Sequence, residues 1–430
     1  MTNTNAPRVV ILGGGFAGLY AAKRLAPEAV EVTLVDRRNH HLFQPLLYQV
    51  ATAALNPSDI AAPIRSILRK QRNTRVILGD VIAIDRARRV VTMTDGELSY
   101  DYLIVATGAT HSYFGHDEWE PFAPGLKSIE DALEIRKRVL LAYEAAEKET
   151  DPAARSALLT FVVVGGGPTG TELAGALAEI GRHAMERDFR SIDPTAVRVV
   201  LVEGIDRVLS SFHPALSKRA EEQLRTIGVE VRTHCRVTAI DANGVTIGDE
   251  AIAARTVLWG AGVRGSAVAK CLGAPLDKAG RVLVEPDLSL SGAPEVFVVG
   301  DLAHLEQDGK LVPGVAPAAM QQGAHAAGNV IRLVRGQKTL PFRYRDKGSM
   351  ATIGRAAAIA EFPKLRLSGF PAWLAWLFIH ILFLIGFRNR LLVMIQWAWA
   401  YMTFQRGARL ITGEVTWGSQ GTNHGEIRKH

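Results

Sequence analysis

Two stretches of the sequence share the spacing G-x-G-x-x-G, and glycines at this spacing can hold a phosphate. The stretches are RVVILGGGFAGLYAAKRLA and TFVVVGGGPTGTELAGALAE, and their glycines are Gly13, Gly15, Gly18, Gly165, Gly167 and Gly170. The first glycine permits a tight turn, the second lets the backbone approach a pyrophosphate, and the third lets a helix pack on a strand. Unpaired N–H groups at the start of that helix then face the phosphates. The repeat predicts two dinucleotide sites; two glycine-rich turns without a ligand are the alternative.

An acidic residue ends the second strand of each repeat. VEVTLVD ends at Asp36, and VRVVLVE ends at Glu203. A carboxylate at this place accepts hydrogen bonds from an adenosine ribose and repels a 2′-phosphate. The second site is therefore expected to prefer NADH to NADPH, although the nearby Arg207 leaves that preference open. Two dinucleotides in one chain pair naturally as a bound flavin and a diffusible nicotinamide.

The elements that must position these residues alternate between strands and helices. Further buried strands run into small-residue turns in DYLIVATGA (101–109), in TVLWGAG (256–262) and in EVFVVGD, which ends at Asp301. Alternating strands and helices with two glycine fingerprints predict an α/β fold with two Rossmann-type dinucleotide-binding domains. A chain of 430 residues has room for two or three domains.

Composition narrows the functional classes. The twelve histidines are scattered without the spacing of metal ligands, so no metal site is expected. Two cysteines, Cys235 and Cys271, cannot make a disulfide framework and fit a reducing compartment. The N-terminus lacks the basic and apolar regions of an export signal, so the bulk of the protein is expected in the cytoplasm.

The C-terminal part of the chain is unusually apolar. From Phe370 to Phe387 the sequence holds eighteen residues with a single polar side chain, His380. As one helix they would span about 27 Å, close to the length of a membrane span. Between Phe362 and Gly413 there is no acidic residue, and the basic residues are Lys364, Arg366, Arg388, Arg390, Arg406 and Arg409. Five of the seven tryptophans lie in the same part of the chain: Trp373, Trp376, Trp397, Trp399 and Trp417.

Three interpretations of this segment compete: a buried core hairpin, a transmembrane helix and an interfacial anchor that lies in one leaflet. Tryptophan beside arginine is typical of a membrane interface, so the interfacial anchor is favoured. The first run is apolar nearly all round, which predicts that protein, such as a second subunit, covers one side of it. The basic residues flank apolar runs rather than form a polar face, so no nucleic-acid partner is expected.

At this point the sequence resembles a known family. The two glycine fingerprints, VATGA and FVVGD are together the signature of flavoprotein reductases with two dinucleotide sites. Within that group, RNHHLFQPLLYQVATAALNPSDIAAPIR and the APAAMQQG helix resemble the type II NADH:quinone oxidoreductases, over essentially the whole chain. The missing C-x-x-C argues against the disulfide-reductase branch, in which a dithiol relays electrons, and both cysteines are expected to be structural.

The resemblance implies FAD at the first fingerprint and NADH at the second. For FAD it implies the residues Gly13, Gly15, Phe16, Ala17, Gly18, Asp36, Arg37, Pro45, Thr107, Gly108, Asp301 and Ala318. For NADH it implies Gly165, Gly167, Pro168, Thr169, Gly170, Glu203 and Gly262. Any single residue of the loop around Pro45 is nearly as well explained by ordinary packing.

Two further residues are candidates for catalysis. The family's quinone motif A-Q-x-A-x-Q aligns with 316–321, where Pro317 replaces the first glutamine and leaves Gln321 as the polar candidate. Pro317 also suits the first turn of a helix, in which case the glutamines would simply be solvated. Glu172 follows the second fingerprint in what is expected to be the first turn of its helix. It either complements the helix dipole or, as the family implies, orients the nicotinamide and handles protons during quinone reduction.

The sequence thus predicts an FAD-binding domain at 1–120 and 280–345, an NADH-binding domain at 121–279 and a C-terminal helical membrane anchor at 346–430. The expected function is oxidation of NADH, without proton pumping, through bound FAD to a membrane quinone. The expected form is a homodimer bound to the lipid surface at the cytoplasmic face of the inner membrane, peripheral or monotopic. The alternatives are a soluble NADH-dependent ferredoxin-type reductase and a membrane-bound regulator that senses nucleotides.

Overall fold

The computed structural model describes residues 6–185, 188–385, 387–403 and 407–412. Residues 1–5 of the predicted first domain and 413–430 of the predicted anchor, Trp417 included, therefore lie outside the described residues, as does Arg406.

Helices and strands alternate along most of the described chain. The helices are α1 (Phe16–Leu25), α2 (Leu47–Ala51), α3 (Pro57–Ile60), α4 (Ile64–Leu68), α5 (Ile129–Lys148), α6 (Pro152–Leu158), α7 (Pro168–Glu179), α8 (Pro214–Thr226), α9 (Val268–Cys271), α10 (Ala316–Val334), α11 (Phe370–Phe383) and α12 (Phe387–Thr403). The strands are β1 (Arg8–Leu12), β2 (Glu31–Asp36), β3 (His40–Leu42), β4 (Ala61–Pro63), β5 (Thr74–Leu78), β6 (Val81–Asp85), β7 (Val90–Met93), β8 (Gly96–Ser99), β9 (Tyr102–Val105), β10 (Ala109–His111), β11 (Thr160–Val164), β12 (Arg198–Val202), β13 (Val229–Arg232), β14 (Val237–Asp241), β15 (Gly244–Ile247), β16 (Glu250–Ala253), β17 (Thr256–Trp259), β18 (Val263–Gly265), β19 (Val282–Leu283), β20 (Ser289–Leu290), β21 (Ala293–Val298), β22 (Ala303–His304), β23 (Glu306–Gln307), β24 (Lys310–Leu311), β25 (Ser349–Gly354), β26 (Ala357–Phe362) and β27 (Leu365–Ser368).

The chain builds two parallel sheets of the same design. In the first, the order is β20-β21-β9-β1-β2-β5, and all neighbours except β20 and β21 run parallel. In the second, the order is β13-β12-β11-β17, and all strands run parallel. The strands are apolar because helices and loops cover both faces of a parallel sheet. The predicted α/β fold is confirmed, and it contains two parallel sheets.

A short antiparallel ribbon joins the two halves. Strand β10 comes from the first half and pairs with β18 from the second, with Ala109 opposite Gly265 and His111 opposite Val263. Each strand directly follows a turn that ends one of the parallel sheets. The ribbon therefore places the carboxyl-end turns of the two sheets beside each other, which is where α/β folds bind ligands.

Different elements cover the two fingerprint helices. Helix α10 packs on α1, and a Cβ on Gly323 would overlap the carbonyl oxygen of Ala17. Strand β25 packs on α7, and a Cβ on Gly175 would overlap the carbonyl oxygen of Ile353. In both places a missing side chain lets two backbones approach closely.

The C-terminal region is a three-stranded antiparallel sheet, β25-β26-β27, followed by the two apolar helices. The predicted single helix from Phe370 to Phe387 is wrong: α11 ends at Phe383 after fourteen residues, and Leu384 is extended, with φ −62° and ψ 133°. The side chain of Arg390 donates to the carbonyl oxygen of Leu384 at 2.7 Å and stabilises this break. Of the helices in the described ranges, none is both long enough and apolar enough to cross a membrane.

Candidate dinucleotide and quinone sites

The first glycine loop joins β1 to α1 and is held by Asp36. One carboxylate oxygen of Asp36 accepts from the N–H of Gly14 at 2.6 Å, and the other accepts from the N–H of Arg38 at 2.7 Å. Gly13 has a φ of +100°, and a Cβ there would overlap the carbonyl oxygen of Ala106. Only glycine adopts this backbone at such close approach without strain.

The second glycine loop, between β11 and α7, repeats this geometry. One oxygen of Glu203 accepts from the N–H of Gly166 at 2.6 Å, and the other accepts from the N–H of Ile205 at 3.0 Å. Gly165 has a φ of +104°, and a Cβ there would lie 2.5 Å from the nitrogen of Ala261. The nearby Arg207 bonds instead to Asp206 and to the carbonyl oxygen of Ser210.

Both loops fit a dinucleotide pyrophosphate. The residues before the first turns of α1 and α7 are Gly15 and Gly167, so the cap positions carry no side chain that could occupy the helical N–H groups. Among the described residues, a Cβ at either glycine would meet nothing within 4 Å, so both loops open toward a ligand. Each carboxylate oxygen uses one acceptor position within the loop and keeps another for a ribose hydroxyl.

The ribbon β10–β18 carries candidate residues of both sites. Gly108 stands immediately before β10, and its carbonyl oxygen accepts from the N–H of Ser266 at 3.1 Å. Gly262 stands immediately before β18, and its carbonyl oxygen accepts from the N–H of Ser112 at 3.3 Å. The hydroxyl of Thr107 bonds the hydroxyl of Ser266 at 2.6 Å, which fixes a candidate flavin-lining side chain from the opposite half.

The helix α10 aims its start at the first site. Ala318 is buried in its first turn, and Pro317 occupies that turn as the sequence predicts. Asp301 lies in the short turn Gly300–Leu302, whose first N–H donates to the buried side chain of Gln322 at 2.6 Å. Gln322 was missed by the sequence reasoning, because only the tertiary contact shows that it positions the turn of Asp301.

Gln321 bonds to the segment before β25. Its amide nitrogen donates to the carbonyl oxygen of Arg345 at 3.0 Å, and its oxygen accepts from the N–H of Arg345 at the same distance. Both ends of the side chain thus clamp α10 to the segment before β25. The interpretation of both glutamines as simply solvated is wrong, and a quinone contact for Gln321 stays a prediction.

Glu172 occupies an apolar environment beneath β25. It is the fifth residue of α7, and the first turn of that helix is free of acidic residues, so the prediction that it lies in the first turn is wrong. Burial raises its pKa to about 8, while the N–H of Thr352 acts in the opposite direction. A carboxyl with this pKa is largely protonated at neutral pH and can donate or accept a proton there.

An aromatic path leads from the first glycine loop to the C-terminal helices. The ring of Phe16 contacts His41 and Phe43, at centroid distances of 5.0 Å and 5.9 Å. Phe43 meets His380 at 6.2 Å, and His380 stacks on Trp376 at 4.3 Å. Burial lowers the pKa of His380 to about 4, so its imidazole is neutral at physiological pH. The sequence singled out His380 as the one polar residue of an apolar run but did not place it beside this loop.

The remaining candidates take simple positions. Pro45 lies in a short turn, Gln44–Leu46, directly after Phe43, and Arg37 is exposed beside Asp36. Pro168 opens α7 and is exposed, and Thr169 follows it half-buried. The two cysteines are free thiols, with Cys235 between β13 and β14 and Cys271 at the end of α9.

Two sequence families match the chain in succession. Residues 7–323 match the pyridine nucleotide-disulphide oxidoreductase family, and residues 347–406 match the NDH2 C-terminal domain. The first match and the paired glycine loops define a flavoprotein oxidoreductase that uses a pyridine nucleotide.

The chain is 46% identical to the type II NADH:quinone oxidoreductase NdhA of Mycobacterium tuberculosis over 95% of its length and 90% of that protein. It is 31% identical to the type II NADH:quinone oxidoreductase of Staphylococcus haemolyticus over 81% of its length and 87% of that protein. The chain therefore belongs to the type II NADH:quinone oxidoreductase family.

Solved structures share the fold. NDH2 from Plasmodium falciparum in complex with NADH superimposes with a TM-score of 0.86 at 19% identity, over 95% of this chain and all of that one. The sulfide:quinone oxidoreductase of Aquifex aeolicus superimposes with a TM-score of 0.73 at 20% identity, over 90% and 92% of the two chains. The fold thus extends through the C-terminal region.

Proposed function

We propose that the protein oxidises NADH and transfers the electrons through bound FAD to a membrane quinone, without pumping protons. The reaction takes NADH, a proton and a quinone to NAD⁺ and a quinol. The observation that carries the proposal is the ribbon β10–β18, which ties the turn of Gly108 in one dinucleotide half to the turn of Gly262 in the other. Because the ribbon holds these two turns side by side, a flavin at the first and a nicotinamide at the second would lie next to each other, as direct hydride transfer requires.

The domain assignment follows the two sheets. The strands of the first sheet come from the described parts of 1–120 and 280–345, and those of the second from 121–279. We assign FAD to the first and NADH to the second because α10 packs on the helix of the first glycine loop and on the turn of Asp301. FAD supplies the hydride-accepting and electron-transferring chemistry when it is bound.

The protein's own residues bind and orient the nucleotides. The N–H groups of Gly15 and Phe16 begin α1 and would neutralise the FAD pyrophosphate, while those of Gly167 and Thr169 would serve the NADH pyrophosphate. Asp36 and Glu203 would each accept a ribose hydroxyl. Hydride transfer needs alignment more than acid–base groups, so these contacts carry most of the NADH half-reaction.

Quinone reduction also needs protons, and Glu172 can supply one. The packing of α7 against β25 raises the pKa of its carboxyl to about 8, which favours the protonated form at neutral pH. His380 is neutral, and its Nδ1–H donates to the carbonyl oxygen of Trp376 at 2.7 Å, which leaves Nε2 as an acceptor. We assign Glu172 the proton-donating role and leave Gln321 as a weaker candidate for the quinone head group.

Separate measurement of the two half-reactions tests this function. Purified protein in detergent is mixed anaerobically with NADH while the flavin absorbance is followed, and a short-chain ubiquinone is then added. Rapid bleaching and rapid recovery are expected. Bleaching without recovery would move the acceptor elsewhere, and slow bleaching would favour the nucleotide-sensing regulator.

The apolar helices present a stripe to the outside that fits a lipid surface. On α11, Phe370, Leu374, Phe378 and Leu382 are spaced by four residues and exposed, with Phe378 67% exposed. On the opposite side of α11, Ala372 packs with Ala358 and Ala360 of this chain's own β26. The cover that the sequence predicted is therefore supplied within one chain. We infer a monotopic protein that lies in one leaflet at the cytoplasmic face of the inner membrane.

Binding to liposomes tests the membrane site. The variant F378S/L382S is expected to lose at least tenfold in membrane partition, because each apolar side chain contributes about 1.5 kcal/mol or more when it is buried. The control is L78S, since Leu78 is 57% exposed on β5, in another part of the molecule. Equal binding of both variants would contradict the assignment.

The homodimer stays a prediction, and sedimentation in detergent tests it.

A further inference from the structure

Helix α12 and the residues after it contact the segment 41–60, which holds the candidate flavin neighbour Pro45, at three places. The indole N–H of Trp397 donates to the side-chain oxygen of Gln49 at 2.7 Å. The side chain of Asn389 donates to the carbonyl oxygen of Ser58 at 3.3 Å. After the helix, the N–H of Ala408 donates to the carbonyl oxygen of Ala53 at 3.3 Å. These contacts join parts of the chain that are more than 300 residues apart in sequence.

The Trp397–Gln49 contact is the innermost of the three. Gln49 is only 8% exposed, and its amide nitrogen donates to the hydroxyl of Tyr48 at 2.9 Å. Both ends of the amide are therefore used inside the protein. A buried amide oxygen that loses its donor has no water to replace it, so this contact fixes α2 more strongly than an exposed one would.

The same tryptophan belongs to the aromatic path toward the first glycine loop. Trp397 lies 5.2 Å from Trp376, whose ring stacks on His380, and His380 contacts Phe43. Phe43 directly precedes the turn that holds Pro45, one of the candidate flavin neighbours. Two separate routes, one polar and one aromatic, thus lead from α12 to the segment that faces the first site.

Backbone strain at Ala53 indicates that contacts from elsewhere in the chain stabilise the segment 41–60. Ala53, directly after α2, has a φ of +59°, which is a left-handed conformation that costs a non-glycine residue energy. The carbonyl oxygen of Ala53 is the one that accepts from Ala408. The opposite face of α12 is apolar and exposed at Leu391, Met394, Ile395 and Trp399. Helix α12 thus has one exposed apolar side and one side that contacts the segment 41–60.

We propose that Trp397 and Gln49 are a pair of positioning residues through which α12 shapes the quinone side of the active site. The inference rests on the proposed function and adds to it that the anchor does more than tether the enzyme. The pair holds α2 from the side of the membrane-facing helices, whereas the NADH half contacts α2 through α5 and α7. Its loss is therefore expected to slow electron transfer to quinone and to leave flavin reduction by NADH unchanged.

The test compares W397F, Q49L and the double variant W397F/Q49L with W399F. Phenylalanine keeps the aromatic packing and removes the N–H donor, and the leucine of Q49L removes the acceptor. Trp399 is 56% exposed on the outer face of α12, so W399F is a matched control. For each detergent-purified protein, four quantities are measured: flavin content, the rate of flavin bleaching by NADH, the rate of recovery with a short-chain ubiquinone, and the rate with ferricyanide, a small polar acceptor.

We expect W397F to recover roughly five- to tenfold more slowly with ubiquinone, the size of one buried hydrogen bond, and to keep the other three quantities. The double variant should be no slower than Q49L, because Q49L already lacks the contact that W397F removes and in addition loses the bond to Tyr48. Unchanged recovery in W397F, or effects that multiply in the double variant, would overturn the proposal. An equal loss with ferricyanide would also overturn it, since it would show general damage.

Two outcomes remain distinguishable from these. If W397F loses its flavin, Q49L decides the question, because it keeps the whole indole. If the wild-type protein itself bleaches with NADH but does not recover with ubiquinone, the proposed function fails, whatever the variants do.

Discussion

The two glycine loops are nearly identical in local geometry and differ in what covers them. In each, a carboxylate after the second strand accepts from the N–H of the middle glycine at 2.6 Å, at Gly14 and at Gly166. Helix α1 is then covered by another helix, α10, whereas α7 is covered by strand β25 of the C-terminal region. The glycine loop is built by residues close together in sequence, whereas the element packed on its helix comes from a distant part of the chain.

The difference is clearest at one equivalent position. Tyr20 in α1 and Glu172 in α7 stand two residues after the third glycine of their loops. Tyr20 is half-buried, with the amine of Lys23 5.4 Å from its ring centre. Glu172 lies beneath β25, and its pKa rises to about 8. At the second position the sequence supplies a carboxyl, and β25 above it raises the pKa into the range in which the group can exchange protons near neutral pH.

The largest expected effect comes from the third glycines. A Cβ on Gly18 would overlap the carbonyl oxygen of Gly13, and a Cβ on Gly170 would overlap that of Gly165. We expect G18V to purify without flavin, and G170V to keep its flavin while NADH no longer bleaches it at a measurable rate. Flavin absorbance and stopped-flow bleaching check both. The control G328A, at a helical position where a Cβ meets no described atom within 4 Å, should keep both functions. Flavin loss in G170V would contradict the assignment of the sites.

The next effect concerns the elements packed on the two fingerprint helices, α10 on α1 and β25 on α7. A side chain on Gly323 would collide with the backbone of Ala17, and one on Gly175 with the backbone of Ile353. Because backbone cannot move aside as a side chain can, we expect G323V and G175V each to lower the free energy of unfolding by about 3 kcal/mol. Denaturant unfolding of the holoprotein measures this. A change below about 0.5 kcal/mol in either variant would show that the covers are loosely packed.

The third effect concerns Glu172. We expect E172Q to slow recovery with ubiquinone roughly ten- to a hundredfold and to leave flavin bleaching within about twofold of wild type. In the wild type, recovery should slow as the pH rises through about 8, because the carboxyl then loses its proton. Stopped-flow recovery rates from about pH 6 to about pH 9 measure both. A wild-type rate independent of pH would exclude Glu172 as the proton donor.

The same carboxyl should affect stability. Its pKa is raised in the folded protein, so the native state holds a proton that the unfolded state releases above a pH of about 4.3. Its contribution to stability is therefore lost progressively from about pH 4.3 until the pH passes about 8. Thermal melting of E172Q should lack this part of the fall. A melting temperature of E172Q that falls with pH as steeply as that of the wild type would contradict this assignment.

The smallest effect concerns the different roles of Glu203 and Asp36 in nucleotide binding. We expect E203Q to raise kcat/KM for NADPH relative to NADH roughly tenfold, since the repulsion of a 2′-phosphate is removed. D36N should weaken flavin retention and leave that ratio unchanged. Steady-state kinetics with both nucleotides, at equal flavin content, measure the ratio. If D36N changed it instead, the FAD and NADH sites would have to be exchanged.

The sequence predicted what depends on short-range spacing. The glycine loops, the acid after the second strand and the small-residue turns are encoded within about thirty residues each, so the α/β fold with two dinucleotide sites follows from local chemistry. The place of Pro317 in the first turn of α10 also follows from a local preference. The single long apolar helix did not, because hydropathy alone does not locate the break at Leu384, which a side chain six residues later stabilises.

What only the tertiary structure decided are the environments made by distant segments. Glu172 has a raised pKa because β25, about 180 residues further along the chain, covers it. Gln321 is clamped by Arg345, and its neighbour Gln322 holds the turn of Asp301. His380 lies beside Phe43 because α11 is packed against the body of the enzyme. Burial and pairing are properties of the packed chain, so residue type and spacing alone cannot determine them.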